Sequence, residues 1–459
     1  MTTYIKANTR SSQVVTTTGD DANGGLWAGQ QSGNGVNRAM SDDAYVVIDG
    51  STIVAESVDR QQIEFTSGYD VSLDDVGNGG WYHIASGSHT GYYAFGPITS
   101  VDLANNRWKC SNLNGPWNGL AAGTAVTGAM GGALATPGEA TSRQTTYSTV
   151  FVKAGTYTLQ NNVHNSSGGP PEVQSWSTMI AFKDALGDHF AHPTDRVILD
   201  RGSTTDNGYM VRHGGSRGTL LAGFDIDCDD EWIGGTNVRC SINCIVRDAD
   251  GNGFNCYDSF KCAAYNCTNS GGTAYGFSNG SGMCAECYAE DCDNGFNFQS
   301  GFRNVAHGCS GYGILIQNYH GAAFNIADEC GTGLYGSDRG ASAFNMATNC
   351  TTGASGTMWA TIAYNNTTNV SGTPPVGGYG PGGGTPVLQL TADPYEDRTG
   401  TPPDYRLNDT AGGGAELEDY APKWGAGTIA GPQEQFAGIL KSSGGGSSVI
   451  PARPIQIGA

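Results

Sequence analysis

The stretch "KCAAYNCTNSGGTAYGFSNGSGMCAECYAEDC", Lys261–Cys292, holds five of the chain's thirteen cysteines, among them a CxxC at Cys284 and Cys287. Three readings compete for it: a metal site, a disulfide scaffold, or sulfur used as a packing group. Its surroundings decide among them. Aligning the cysteine that ends each of six short segments gives "RCSINC" at Cys244, "CAAYNC" at Cys267, "CYAEDC" at Cys292, "NVAHGC" at Cys309, "NIADEC" at Cys330 and "NMATNC" at Cys350, spaced by 23, 25, 17, 21 and 20 residues. Such a period belongs to a solenoid, in which each coil buries a face against the next.

Neighbouring columns agree. Three positions before the cysteine stand Ser241, Ala264, Ala289, Ala306, Ala327 and Ala347, and five before stand Arg239, Cys262, Cys287, Asn304, Asn325 and Asn345. The residues two before, from Ile242 and Tyr265 to Glu290, His307, Asp328 and Thr348, share no chemistry. Alternate positions are thus constrained and the ones between are free, as in short strands with one side in a narrow interior and the other in solvent. After each cysteine comes a glycine with an apolar residue, as in Gly253-Phe254, Gly276-Phe277, Gly295-Phe296, Gly313-Ile314 and Gly333-Leu334. Coils of about 20 residues without helices indicate a parallel β-helix, right-handed as parallel crossovers almost always are. The frames of leucine-rich and calcium-binding nonapeptide repeats are missing.

The cysteine-rich stretch then reads as packing. Three apart on extended chain, Cys284 and Cys287 should point to opposite sides and share no ion. A buried thiol acts as a small hydrophobe, and stacked asparagines can bond along a ladder. Adjacent coils lie about 4.8 Å apart, within the Cα range of a disulfide, so cross-links between coils stand as the competing expectation.

The rest of the chain suits this class. Glycine supplies 71 of 459 residues and charged residues only 14%, against about 25% in typical soluble chains. Turns needing positive φ or side-chain bonds to their own backbone use such residues. The balance of 23 basic to 43 acidic residues, net −20, includes no basic block. Nucleic acid and anionic membranes are therefore poor partners. No apolar run approaches the length of a membrane span, and the start "MTTYIKANTRSSQVVTTTGDD" has no signal-peptide core, so a soluble, non-exported chain with reduced thiols is expected.

Three regions are expected. Residues 1–135 form a β-rich hairpin domain for anchoring and assembly, with a hairpin at Asp49-Gly50 in "AYVVIDGSTIVAES", another around Ala104-Asn105-Asn106, and a linker from Pro116 to Pro137. Residues 136–372 form the β-helix, and 373–459 a Gly/Pro-rich extension for assembly contacts, entered through "TPPVGGYGPGGGTP", which should end the coils.

Candidate chemistry is sparse. "FDIDCDDEW" gathers Asp225, Asp227, Asp229 and Asp230, and the first two fall on one strand face, where paired carboxylates could perform acid–base chemistry on a polysaccharide. The competing reading is solvation of an outer face. "DADGNG" matches half of an EF-hand loop through Asp248, Asp250 and Asn252 but has Ser259 where the bidentate glutamate should stand. Calcium there is the one cofactor to consider. His189 and His192, with Asp188 and Asp195, point apart on extended chain and make a poor metal site. Trp81, Tyr82, Tyr92, Tyr93 and Phe95 suit a core or a subunit interface better than sugar stacking.

"GGALATPGEA" followed by "STVFVKAGTYTL", the coils with GF and cysteine, and "DYRLNDTAGGGA" near the end together resemble a group of pectin-lyase-like β-helical virion surface proteins of tailed bacteriophages, found especially in phages of marine bacteria and in planctomycete-like bacteria. The resemblance spans most of residues 80–415. It implies a tail fibre, tailspike, head fibre or capsid decoration, assembled in the host cytoplasm, displayed on the virion surface and commonly homotrimeric. Its partners would be its own copies, virion proteins and host-surface polysaccharide. A non-enzymatic structural role and a polysaccharide-degrading tailspike role both fit this class. The ending "IPARPIQIGA" departs from the pattern.

Overall fold

The computed structural model describes residues 13–22 and most of 46–415, with its longer breaks at 85–90, 111–122, 185–195, 372–387 and 398–403. The chain is a right-handed parallel β-helix preceded by an antiparallel sheet. Three parallel ladders form its faces. The first runs from Gln13–Val15 through Thr149–Lys153, Thr178–Phe182, Leu220–Ala222, Cys240–Ile242 and Asp258–Phe260 to Ser342–Ala343. The second is an 11-stranded sheet from Gly155–Thr158 to Leu388–Gln389. The third stacks Asp206–His213, Trp232–Asn237, Asn252–Phe254 and their successors up to Thr368–Ser371.

Single left-handed residues make two of the corners. Between the first and second faces stand Asn243, Lys261, Glu286, Arg303 and Phe324, with φ of 52°, 54°, 56°, 55° and 59°. Between the second and third stand Asp248, Asn266, Asp291, Gly308, Glu329, Asn349 and Asn365 at 48–64°. Asn, Asp and Gly tolerate this region; lysine, glutamate, arginine and phenylalanine do so at a cost of about 1–2 kcal/mol each. Part of that cost is offset where Glu286 meets Lys261 and Arg303 of the adjoining coils, each at 3.7 Å.

These corners revise the sequence columns. The left-handed Glu286 separates Cys284 from Cys287 and turns both side chains inward, where each is fully buried, rather than to opposite sides. Cys244 stands one corner earlier than the alignment placed it: Ile245 pairs with Ala263, so Cys244 lies beside Cys262 and heads the column Cys262, Cys287, Asn304, Asn325, Asn345. Ser241 pairs with Ser259, outside the alanine column, in which Val246 precedes Ala264. The alignment slipped because both corners share one local form, a left-handed residue followed by a small inward one.

Inside, the second-face alanines Ala264, Ala289, Ala306, Ala327 and Ala347 stack in register. The glycine column of the third face lies against them. A Cβ on Gly313 would come within 2.8 Å of Ala327 Cβ and 2.9 Å of Cys330 Sγ, and one on Gly333 within 2.9 Å of both Ala347 Cβ and Cys350 Sγ. Next to each glycine, Phe254, Phe277 and Phe296 stack in parallel, their centroids 4.7 and 4.8 Å apart. Each such ring contributes roughly 1.5–3 kcal/mol by leaving water.

Asn304, Asn325 and Asn345 are fully buried, yet their amides are satisfied. Asn325 Oδ1 accepts from the backbone N–H of Asn304 at 3.0 Å and from its Nδ2 at 2.9 Å. Its own Nδ2 donates to Asn345 Oδ1 at 2.8 Å and to Gly301 O at 3.2 Å.

The N-terminal sheet has seven antiparallel strands with Thr124–Met130 near its centre. The stretch expected to be a linker therefore supplies a core strand. Asp49-Gly50 forms no hairpin: Val46–Ser57 runs through it with a register shift between Ile48 and Ser51, and the reversal comes after Ser57. A hairpin does join Ile98–Asp102 to Arg107–Cys110. In this core Asp75 is buried and accepts from Trp108 Nε1 at 2.8 Å and Tyr69 Oη at 2.7 Å.

Gln13–Val15, within the region assigned to the N-terminal domain, instead begins the first face of the β-helix. Helix Pro137–Ser142, N-capped by Thr136, packs against that first coil. At the other end the Gly/Pro-rich break does not end the ladder, because Leu388–Gln389 pairs with Thr361–Tyr364. The hairpin of Tyr395–Asp397 and Asp404–Leu407 follows, and Tyr395 is buried on the outside of the second face with Leu390, Ile326 and Met346.

Replacing Asn325 with alanine strands the backbone N–H of Asn304 and leaves its Nδ2 only the Cys284 carbonyl, while Asn345 Oδ1 keeps just the backbone N–H of residue 325. Urea unfolding is expected to show a loss of about 2–4 kcal/mol, with Asn325→Cys, the residue type earlier in that column, losing less.

Candidate functional site

The acidic segment occupies the second face. Strand Phe224–Asp227 lies between Val197–Asp200 and Ile245–Arg247, with Phe224 and Ile226 inward and Asp225 and Asp227 outward. Arg247, one coil on, grips Asp225 bidentately, its Nε and Nη2 each 3.0 Å from a carboxylate oxygen. Beside this pair lies buried Arg196, which donates through Nη1 to Asn243 O at 2.9 Å. Burial pulls the Arg196 guanidinium below its ordinary value, and the Asp225 charge works against that. Both oxygens of Asp225 are therefore engaged by Arg247, and its charge also acts on Arg196.

Asp227 differs. It is in register with Asp200 below and Arg247 above. Burial raises its pKa, and the charge of Asp248 raises it further. Asp229 and Asp230 form a left-handed turn, with Asp229 bonded to Arg201 at 2.6 Å. Burial, then Asp248, also raises Asp230. Four acids close in sequence thus divide into two held by arginine and two whose surroundings raise their pKa.

The half EF-hand lies at the corner between the second and third faces. Asp248 is its left-handed residue and accepts from Asn266 Nδ2 at 2.8 Å. Asn252 Oδ1 accepts from the backbone N–H of Tyr275 at 2.9 Å. Asp250 is exposed. Two of the three oxygen ligands proposed for calcium therefore bond to the next coil, and among the described residues no group of three or more His, Cys, Asp or Glu side chains is arranged to hold a metal ion. His189, His192, Asp188 and Asp195, and the side chains of Trp81, Tyr92, Tyr93 and Phe95, lie outside the described residues.

The outward column that looked chemically arbitrary is connected. Asp227, Arg247, Tyr265, Glu290, His307, Asp328 and Thr348 stand in register. Arg247 lies 5.4 Å over the Tyr265 ring, His307 Nδ1 is 3.5 Å from Asp328, and Thr348 Oγ1 donates to Asp328 at 2.6 Å. Burial opposes the charge on His307, but the Asp328 carboxylate outweighs it and raises the imidazole pKa.

All twelve cysteines in the described residues are free, and all but Cys240 are buried. Burial pushes the Cys228, Cys244, Cys262 and Cys287 thiols well above their ordinary range, leaving little thiolate at neutral pH.

A cavity of about 330 Å³ opens at the third corner, where the third face returns to the first. His213, Asn237, Arg239, Asn255, Tyr257 and Ser278 line it, contributed by consecutive coils. Apart from Arg239, which opens the aligned segment RCSINC, none belongs to a sequence motif. All but Ser278, which lies within strand Tyr275–Ala285, stand at the end of a third-face strand or shortly after it, and only the stacking of coils brings them together.

No family model matches the chain, and no curated protein does so. Among solved structures, the A-module of mannuronan C-5 epimerase AlgE6 from Azotobacter vinelandii aligns over 49% of this chain and 66% of its own, with a TM-score of 0.27 and 11% identity. ORF18 of Geobacillus virus E2 aligns over 50% of each chain, with a TM-score of 0.26 and 10% identity. The class of this protein, a parallel β-helix with a folded N-terminal sheet, rests on its own ladders. Among the described residues no helix is long and apolar enough to cross a membrane.

Asp225→Asn is expected to destabilise the chain by about 2–3 kcal/mol in urea unfolding, somewhat less than a wholly buried pair because the Arg247 side chain keeps 27% exposure. Asp227→Asn is expected to leave stability unchanged or slightly raised, since it removes a charge that its surroundings disfavour. A thiol reagent should leave the eleven buried cysteines unmodified in the native chain. Unfolding without reductant should then expose all thirteen, and a count far below that would reveal disulfides.

Proposed function

We propose that this chain is a non-enzymatic structural protein of a tailed-phage virion, a rigid β-helix displayed on the outer surface as a homotrimer. It would contact other virion proteins and host-surface polysaccharide. The observation that carries this reading is the engagement of Asp225 with Arg247. The carboxylate best placed on the outer face to act as a base has both oxygens tied to a guanidinium of the next coil. The likeness of "GGALATPGEA", "STVFVKAGTYTL" and "DYRLNDTAGGGA" to phage β-helix proteins supports the virion setting. So does an interior closely packed from coil to coil, which suits a rod whose task is to hold its shape.

One observation favours a second reading. A general acid must keep its proton near neutral pH, and burial moves Asp227 in that direction. A polysaccharide-degrading tailspike would use it.

Incubation with host exopolysaccharides separates the two. No oligosaccharide release is expected, together with sedimentation as a trimer and co-purification with phage particles. Release that Asp227→Asn abolishes would replace the structural reading with the enzymatic one.

A further inference from the structure

The cavity at the third corner has a structural origin. The links from third face to first are short in two successive coils: Trp232–Asn237 passes to Cys240–Ile242, and Asn252–Phe254 to Asp258–Phe260. On one side, Asp206–His213 reaches Leu220–Ala222 through a longer link. On the other, strand Tyr275–Ala285 shifts register between Asn279 and Met283. A notch lies at these two short links, and its lining mixes polar and apolar groups.

The charges in the notch are unusual for this chain. Its net charge is −20, and most described cations are matched to carboxylates, as Arg107 is to Glu64, Arg143 to Glu139, Arg212 to Glu172 and Arg247 to Asp225. Arg239 is exposed and lies over the Tyr257 ring, 3.5 Å from its centroid, with no carboxylate within salt-bridge distance among the described residues. Stacking on the ring holds the guanidinium plane while its N–H edge stays available. His213 also lines the notch, with its Nδ1 buried beneath the surface and without a hydrogen-bond partner. Asn237 and Asn255 fall in successive register on the outer side of the third face, with Ser278 next, and supply amides and a hydroxyl. Asn255 is oriented by its 2.7 Å bond to Tyr209 Oη.

We propose that this notch binds one acidic sugar unit of a host-surface polysaccharide. Arg239 meets its carboxylate, and Asn237, Asn255 and Ser278 meet its hydroxyls. A charge-assisted contact to a planar fork suits a carboxylate. Amides and a hydroxyl one coil apart suit a ring carrying several hydroxyls, and the volume fits a unit of that size. This inference rests on the virion-surface reading and supplies the glycan chemistry that reading lacks.

The test titrates the full chain with galacturonate, glucuronate and sialic acid oligosaccharides, with a neutral maltooligosaccharide and with inorganic phosphate as controls, by calorimetry. At least one acidic glycan is expected to bind ten times or more tighter than the neutral one. Arg239→Gln is expected to weaken that binding by about tenfold or more, and Ser278→Trp, which fills the notch from an outward position, to abolish it without changing the melting temperature. If Arg239→Gln lowers the melting temperature through its lost stack on Tyr257, the Ser278→Trp result decides. Binding of none of the acidic glycans, equal binding of the neutral one, binding of phosphate alone, or binding that survives Ser278→Trp overturns the site. A glycan that is bound at the notch and also shortened supports the site while removing the non-enzymatic reading. Copurification with virions without glycan binding removes the site and leaves that reading intact.

Discussion

The structure depends on one close approach: third-face glycines against second-face alanines, with the corner cysteines filling the remaining angle. At Gly313 and Gly333 a single added carbon would come under 3 Å from both an alanine methyl and a sulfur. Real Cβ atoms do not sit so close, so a larger side chain must push two faces apart. Overpacking of that kind costs about 1–3 kcal/mol in an ordinary core. Here every coil lies on the one before it, so displacement at one level disturbs the parallel ladders above and below. The glycines thus fix the cross-section of the rod, and the stacked phenylalanines and aliphatic residues beside them fill its wider part.

Narrowness explains which polar groups the interior accepts. Corner residues must turn the chain while leaving the backbone satisfied, and a single left-handed residue does so because the next N–H continues the ladder. In the corner column from Cys244 to Asn345, asparagine also serves as a ladder of its own. Asn304, Asn325 and Asn345 bond to one another and to the carbonyls of the preceding coil, whereas the same column earlier holds cysteines whose thiols need no partner. A thiol and a carboxamide are interchangeable in this column because both fit beside an alanine. They differ in that asparagine must come in runs to be satisfied.

Function is therefore confined to the outside. The second face carries a linked polar column from Asp227 to Thr348, and at its far end the hairpin of Tyr395–Asp397 and Asp404–Leu407 covers Ile326 and Met346. Its acids are matched to arginine and histidine or are pressed towards neutrality. The corner between third and first faces is different in kind. There Arg239, with no carboxylate partner among the described residues, stacks on Tyr257 beside a notch that lies away from the acidic segment.

Much of the fold was legible because a stacked interior imposes one size limit again and again. The alanine positions from Ala264 to Ala347 and the glycine-apolar pairs mark the repeat without any structural knowledge, and they determine a parallel β-helix. Register was less legible. Cys244 was assigned to the wrong corner, and Cys284 and Cys287 to opposite sides, because the backbone dihedral of Asn243 or Glu286 is not written in its identity. Asp49-Gly50 shows a related limit, since a turn-forming pair can also form a bulge when strands on both sides hold it extended. The acidic cluster could be found as composition, but its pairing with Arg247 depends on a residue one coil away, and the notch of His213, Asn237, Arg239, Asn255, Tyr257 and Ser278 has no local signature. By itself the sequence determined the repeat, the residue sizes inside it and hence the fold class. Tertiary structure alone decided which side chains from different coils meet, because that depends on corner angles and link lengths, which act between coils and leave no periodic mark within one.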